Sequence, residues 1–258
     1  MIHRGRQRHK THSGIPHGST LNFGAGLQVY YRHKEGITSE SITTTQEDDS
    51  TSTTTNVTAW ADQSTNANNA TQTTDEAEPL LAADGSLDFF HDADGDNADH
   101  MDFTKFRISA DNDFLSFIVA ELRDVNTCCY LSDSGGETLE FHTENTHKFR
   151  GGGAVSSIQF NSDASVTTPN DEKMLVMVHR TNGSTGTIMG YKNGLQADSS
   201  VTNAGQCDFE NLGNVNDASK YFDGKIYDIG VIGGTVSAEG RNRIVDHLLS
   251  KHGLERLA

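Results

Sequence analysis

Five aspartates fall within one short stretch of this chain, HDADGDNADHMD, at Asp92, Asp94, Asp96, Asp99 and Asp102, with His91 and His100 beside them. Carboxylates at alternate positions offer hard oxygen ligands, and a divalent cation relieves their mutual repulsion. Asp92, Asp94, Asp96 and Asp99 are therefore candidate calcium ligands. The spacing is not that of an EF-hand loop: counted from Asp92, position six is Asn97 where glycine is needed, and position twelve is Phe103 where glutamate is needed. A solvated acidic loop is the competing reading, because charge runs usually face water.

Catalytic candidates do not emerge from the other motifs. Glycoside hydrolysis needs two carboxylates facing the scissile bond at a fixed separation. Glu121, Glu137, Glu140 and Glu144 have no suitably spaced acidic partner and read as strand-edge charges. There is no Gly-x-Ser-x-Gly elbow, phosphate loop or dinucleotide fingerprint. The histidines form no His-x-x-x-His set and the cysteines no Cys-x-x-Cys pair, which argues against zinc. Binding without turnover is the expected mode, with no catalytic residue and no required cofactor; calcium is the one metal the acidic loop suits. Sugar recognition needs exposed aromatic faces beside polar groups. Tyr30, Tyr31, Tyr130, Tyr191, Tyr221 and Tyr227 are available, but strand tyrosines more often pack with only the hydroxyl wet.

A second constellation lies at the start. Residues 1 to 20 carry Arg4, Arg6, Arg8 and Lys10 among four histidines and no acidic residue, whereas the whole chain has a formal charge of -16. So few apolar residues cannot build a core, and the segment reads as an arm that orders against an acidic partner, with a solvated tail as the alternative. The acidic remainder repels nucleic acid and anionic membranes, so neither is expected as a partner. No run of about 18 apolar residues occurs, and no apolar segment follows the charged start. Neither a membrane span nor a classical secretion signal is expected. Cys128, Cys129 and Cys207 are odd in number, two of them adjacent, and read as buried free thiols of a protein made in a reducing cytoplasm.

The elements that must hold these residues are short strands. Only 34% of residues are hydrophobic, and they gather into separate runs divided by Thr, Ser, Asn, Asp and Gly. LQVYY, from Leu27, opens as a strand; the Thr/Ser/Asp-rich stretch behind it, through Asn56, reads as a long surface loop. Trp60 reads as a core anchor. After an Asp84-Gly85 turn, Leu87 and Phe89 alternate with Ser86 and Asp88 as in a half-buried strand. Phe114 to Asp124 is the strongest apolar run and is expected to be a central strand. Asn182-Gly183 and Asn193-Gly194 mark hairpin turns, and Ile226, Ile229, Val231 and Ile232 mark a last strand. One C-terminal helix is expected: Ser237 caps it, Glu239 pairs with Arg243, Ile244, Val245, Leu248 and Leu249 share a face, and Gly253 stops it. The fold class is all-β, an antiparallel sandwich over residues 21 to 258 behind the basic arm of residues 1 to 20.

The order of these signals resembles the concanavalin A-like lectin/glucanase superfamily in its laminin G-like, jelly-roll form, from about Leu27 to Leu254. The pieces that carry the resemblance are LQVYYRHKEGIT, the Trp-x-Asp-x-Ser segment within VTAWADQSTNANNATQ, GSLDFFHDADGDNADHMDF with its strand and acidic loop, GYKNGLQ, and YFDGKIYDIGVIGGTVSAEGRNRIVDHLLSKHGL. Thr65 stands where the family often has glycine, and the Thr-rich stretch is longer than usual. The resemblance implies two curved sheets with binding loops on one rim or on the concave face. The superfamily's glucanases carry Glu-x-Asp-x-x-Glu on one strand, a motif that does not occur here. Such domains are found in viral structural proteins. Together with the basic arm, this makes a virion protein, a capsid decoration or appendage component of a phage, the first functional expectation, assembled as a homo-oligomer on other virion proteins. A glycan-binding adhesion module, calcium-dependent through the acidic loop and directed at host-surface glycan, is the alternative.

Overall fold

In this computed structural model, residues 23, 26–45, 51–90, 98–123, 128–143, 146–160, 172–214 and 220–257 are described. They form β1 (Leu27–Tyr31), β2 (Ile37–Thr45), β3 (Thr51–Trp60), β4 (Ala70–Thr71), a 3-10 turn (Asp75–Ala77), β5 (Leu80–Leu81), β6 (Leu87–Phe89), β7 (Met101–Ile108) and β8 (Phe114–Leu122). Then come β9 (Cys128–Ser132), β10 (Thr138–Thr143), β11 (Thr146–Gly151), β12 (Ala154–Gln159), β13 (Met174–Thr181), β14 (Thr187–Lys192), β15 (Leu195–Thr202), β16 (Cys207–Leu212), β17 (Gly224–Gly233) and α1 (Ala238–His252).

The fold is all-β and antiparallel, a sandwich made from one continuous ladder. One layer runs β17, β8, β13, β14, β15, with β1 and β6 side by side on the free edge of β17. The other runs β2, β3, β4, β7, β16, β9, β10, β11, β12. Short β5 and β6 carry the ladder around one corner, from β3 to β17. At the opposite corner β12 meets β15 through side chains, with Ser156 Oγ donating to Thr202 O at 3.3 Å.

The strongest apolar run becomes the central strand, as its composition predicts, because both of its faces are covered. Phe114, Ile118, Ala120 and Leu122 of β8 point between the layers, while Leu115, Phe117 and Val119 point to α1. On β13, Met174, Val176 and Val178 take the first direction and Leu175 and Met177 the second. Helix α1 lays Ile244, Val245, Leu248 and Leu249 on this second face. Burying each such side chain contributes about 1.5–3 kcal/mol. The helix ends where expected: Ser237 Oγ accepts from Gly240 N–H at 3.1 Å, and Gly253 adopts φ 67. Glu239 and Arg243 form no ion pair with each other.

Trp60 has no exposed surface, its Nε1 donating to Arg32 O and Glu35 O at 3.1 and 3.2 Å. The Asn193-Gly194 turn joins β14 to β15 with positive φ at both residues, 44 and 86, the twist a two-residue hairpin requires. Cys128, Cys129 and Cys207 form no disulfide and are buried.

One reading is corrected. Much of the Thr/Ser-rich stretch expected to be a loop is the hairpin β2–β3, paired from Ile37↔Trp60 to Thr45↔Thr51 with one register shift between Thr38 and Ser39. Threonine is β-branched, and cross-strand threonine pairs satisfy one another, as Thr43 Oγ1 and Thr53 Oγ1 do at 3.1 Å. Its polarity resembles that of a turn residue while its backbone preference is a strand's.

Candidate functional site

At one end of the sandwich, β6, β8 and β17 place a set of unlike side chains together. Leu87 and Phe89 face the core, so alternation turns Phe90 outward, where it is 53% exposed. Phe90 N–H donates to Asp99 Oδ2 at 2.7 Å and Asp99 N–H returns to Phe90 O at 3.0 Å, which locks the backbone on either side of the acidic loop. Arg123 follows β8. Its guanidinium donates to Phe89 O at 2.9 Å and Asp223 Oδ1 at 2.6 Å, pairs with Asp88, and lies 5.8 Å from the Phe90 ring centre. Arg123 N–H also donates to Asp223 O at 3.0 Å, so the end of β8 is fixed to the residue before β17.

Beneath this rim the packing is tight. Phe89 meets Phe222 edge-on at 5.9 Å. Gly213 has φ 91, and a Cβ there would sit 2.7 Å from the Phe89 ring. The result is an exposed aromatic face beside a guanidinium held at fixed orientation by two carboxylates and a carbonyl. That combination suits an apolar ring face carrying hydroxyl groups around its edge. Asp99 is 7% exposed, and burial, with the Asp223 charge added, pushes its carboxyl up to about 7 although the Phe90 N–H opposes the shift.

Of the expected calcium ligands, Asp99 is thus a buried acid turned toward the Phe90 amide; Asp102, in the same acidic stretch, accepts from Asn211 Nδ2 at 2.6 Å. Asp92, Asp94 and Asp96 lie outside the described residues, as do Arg4, Arg6, Arg8 and Lys10. The six tyrosines are all buried, the packing role expected of them, so the exposed ring at this rim is a phenylalanine. The period-two pattern of Ser86 to Phe89 carried the signal for Phe90, one residue further on. Asp62 of the Trp-x-Asp-x-Ser segment is a structural clamp: it accepts from Tyr30 N and Ser64 N, both at 2.8 Å, and from Asn68 N at 2.9 Å.

A second charged surface covers the outer face of β7, β16, β9 and β10. Asp133, Glu137 and Asp208 bring carboxylate oxygens within 4.8 Å of one another. Glu137 is thus no isolated strand-edge charge, and Glu140, 2% exposed, is paired with Lys220 at 3.0 Å. These neighbours come from different strands, which spacing along one strand cannot reveal. Both oxygens of Asp208 are taken by Arg107, at 2.8 and 2.7 Å, and Lys105 reaches Asp133 at 3.1 Å. Hydrogen bonding to Arg107 keeps the Asp208 carboxyl low, while burial and the Asp133 and Asp208 charges push Glu137 up. With Asp133, Asp208 and Glu140 engaged by Lys105, Arg107 and Lys220, and Glu137 accepting from the Asp208 and Gly152 amides, this face reads as a largely self-satisfied network.

No protein-family model matches the chain, and no curated protein matches it either. Solved structures do. A botulinum neurotoxin type C structure, from work describing cell entry dependent on interaction with two ganglioside molecules, matches with a TM-score of 0.55 at 13% identity, over 89% of this chain and 53% of that one. The binding domain of Paraclostridial Mosquitocidal Protein 1 matches at 0.50 and 12%, over 85% and 53%. The botulinum neurotoxin serotype D binding domain matches at 0.50 and 14%, over 89% and 52%. The chain spans about half the length of these structures, and the likeness is one of fold: a β-rich sandwich.

Proposed function

We propose that the chain is a glycan-binding module of concanavalin A-like, jelly-roll build that recognises its ligand at the Phe90 rim and performs no catalysis. The observation that carries this reading is Phe90, 53% exposed beside the clamped Arg123 guanidinium, a stacking face with fixed polar groups at its edge. The ganglioside interaction described for the type C neurotoxin supports a sugar as ligand. Binding to a glycan array, with and without chelator, tests it on the wild type and on Phe90→Ala. A glycan retained by the wild type and weakened at least about tenfold, or about 1.4 kcal/mol, by the substitution is expected. An array with no hits, or equal binding by both proteins, refutes the rim as the site. Turnover of a β-glucan or galactan would overturn the non-catalytic part.

A second reading rests on the arm. Four basic and no acidic residues in positions 1 to 20, on a chain of charge -16, suit docking on an acidic partner surface, and charge complementarity there sets orientation. In this reading the chain is a virion component of a phage, a capsid decoration or appendage protein that presents the sandwich outward as a homo-oligomer. Deleting residues 1 to 20 would then abolish incorporation into particles, and unchanged incorporation rejects the arm as anchor.

A further inference from the structure

Two trios of carboxylates are drawn together among the described residues, and they are neutralised differently. Asp133, Glu137 and Asp208 have Lys105 and Arg107 against them. Glu40, Asp75 and Glu78 also bring one oxygen each within 4.8 Å of the others, yet no lysine or arginine among the described residues pairs with any of them. Glu78 is 3% exposed, and its Oε2 has no hydrogen-bond donor. An ionised Glu78 carboxylate, buried and beside two further carboxylates, costs several kcal/mol unless a cation or a proton neutralises it.

The trio is also held in place. Glu40 lies on β2 opposite Asn56 of β3, and Asn56 Nδ2 donates to Asp75 O at 3.2 Å. The 3-10 turn that carries Asp75 closes with Ala77 N–H to Thr74 O at 2.9 Å and is tied by His100 N–H to Ala77 O at 3.0 Å. Just beyond Glu78, Pro79 O accepts from Val57 N–H at 2.8 Å. Two oxygens each about 2.4 Å from one calcium ion lie at most about 4.8 Å apart, and the three oxygens fall within that limit; magnesium demands near-ideal octahedral geometry and gives up its water reluctantly, so it suits such a site less well.

We infer that Glu40, Asp75 and Glu78 form a calcium site that fastens the β2–β3 hairpin to the turn ahead of β5, Glu78 supplying the buried anchoring oxygen and water completing the shell. The site uses none of the acidic loop's aspartates and none of the Phe90 rim's side chains, and it stands whether or not a glycan binds. With three carboxylates and two of the three side chains exposed, the affinity expected is that of extracellular modules, about 0.1–1 mM.

The test is calorimetric titration of the chelator-treated full chain with calcium chloride and, separately, magnesium chloride. Three proteins are compared: wild type, Glu78→Gln, and a loop variant carrying Asp92→Asn, Asp94→Asn and Asp96→Asn. The expected result is one calcium site kept in the loop variant, lost in Glu78→Gln, and weaker for magnesium. If Glu78→Gln fails to fold by circular dichroism, Glu40→Gln, at an exposed position, takes its place and weakens calcium at least about tenfold. No calcium heat from the loop variant at about 5 mM overturns the inference, as does binding unchanged by Glu78→Gln or, in its place, Glu40→Gln.

Discussion

Asp228 offers a direct test of how the helix is held on the sheet. A register shift between Ile226 and Asp228 puts a bulge in β17, so Tyr227 and Asp228 both leave the inter-layer face while Ile226 and Ile229 keep it. Asp228 has no exposed surface. Lys251 Nζ donates to its oxygens at 2.9 and 2.8 Å, His33 N–H reaches it at 3.1 Å, and His252 Nε2 contacts it from the last turn of α1. Burial pulls its pKa up, but the His252 hydrogen bond and the Lys251 charge prevail and hold it below the ordinary carboxylate value. Asp228→Asn keeps the shape and discards the charge. Stranding the other half of a buried pair costs about 3–5 kcal/mol. Lys251 keeps 19% side-chain exposure and can turn to water, so the loss expected is near the lower limit, about 3 kcal/mol. For a chain of this size that is about 6–12 °C in Tm. A depressed carboxyl pKa stabilises the fold above the unfolded value of about 3.9, and the contribution is lost as pH falls through the lower folded value. Urea melts of both proteins should therefore show the full gap at pH 7 and pH 5, and a closing gap at pH 3. Equal stability at pH 7, or a gap undiminished at pH 3, refutes the reasoning.

Other perturbations follow from the same packing. His179 is buried on β13, and burial, with the Arg241 charge added, lowers its pKa to about 4, so folding loses stability as pH falls from about 6.5 toward that value. His179→Leu should flatten this loss by up to about 1.4 kcal/mol per pH unit in urea melts, and an unchanged pH slope would contradict it. Gly213→Ala places a methyl 2.7 Å from the Phe89 ring at φ 91 and should cost about 1–3 kcal/mol while shifting Phe90, read by thermal melting and glycan binding together. Leu248→Ala, at a position with no exposed surface, should cost about 2–5 kcal/mol, and a loss below about 1 kcal/mol would mean that α1 is not anchored as described.

What was legible in the sequence is what depends on neighbours in the chain. The apolar run of β8, the Asn-Gly turn before β15, the cap at Ser237 and the stop at Gly253 are local signals, and each produces its element. The β2–β3 hairpin reads as a loop in the sequence because threonine carries turn-like polarity on a strand-favouring backbone. The bulge at Tyr227 was hidden in a run, YDIGVIG, whose broken alternation has no single period to follow. Sites were less legible than strands. Arg123 and Asp223 meet because β8 pairs with β17, and Glu40 and Glu78 because β3 pairs with both β2 and β5, and no spacing rule along one strand spans those distances.

The same layering argues for where ligand contact belongs. Strands β8, β13 and β17 have one face against the core and the other under α1, so neither of their faces is free. In the opposite layer, β7, β16, β9 and β10 turn out a face whose acids are largely occupied by Lys105, Arg107 and Lys220. A ligand competing there would have to break ion pairs whose acids are nearly buried, with side-chain exposures of 3 to 5%, and each broken pair leaves a desolvated charge behind. At the rim the balance differs: Phe90 already exposes its ring, Arg123 is already oriented, and covering the ring removes apolar surface from water with no pair broken. Because the rim's side chains project from strand ends, changes there alter what is bound while the alternation that builds the core is left intact.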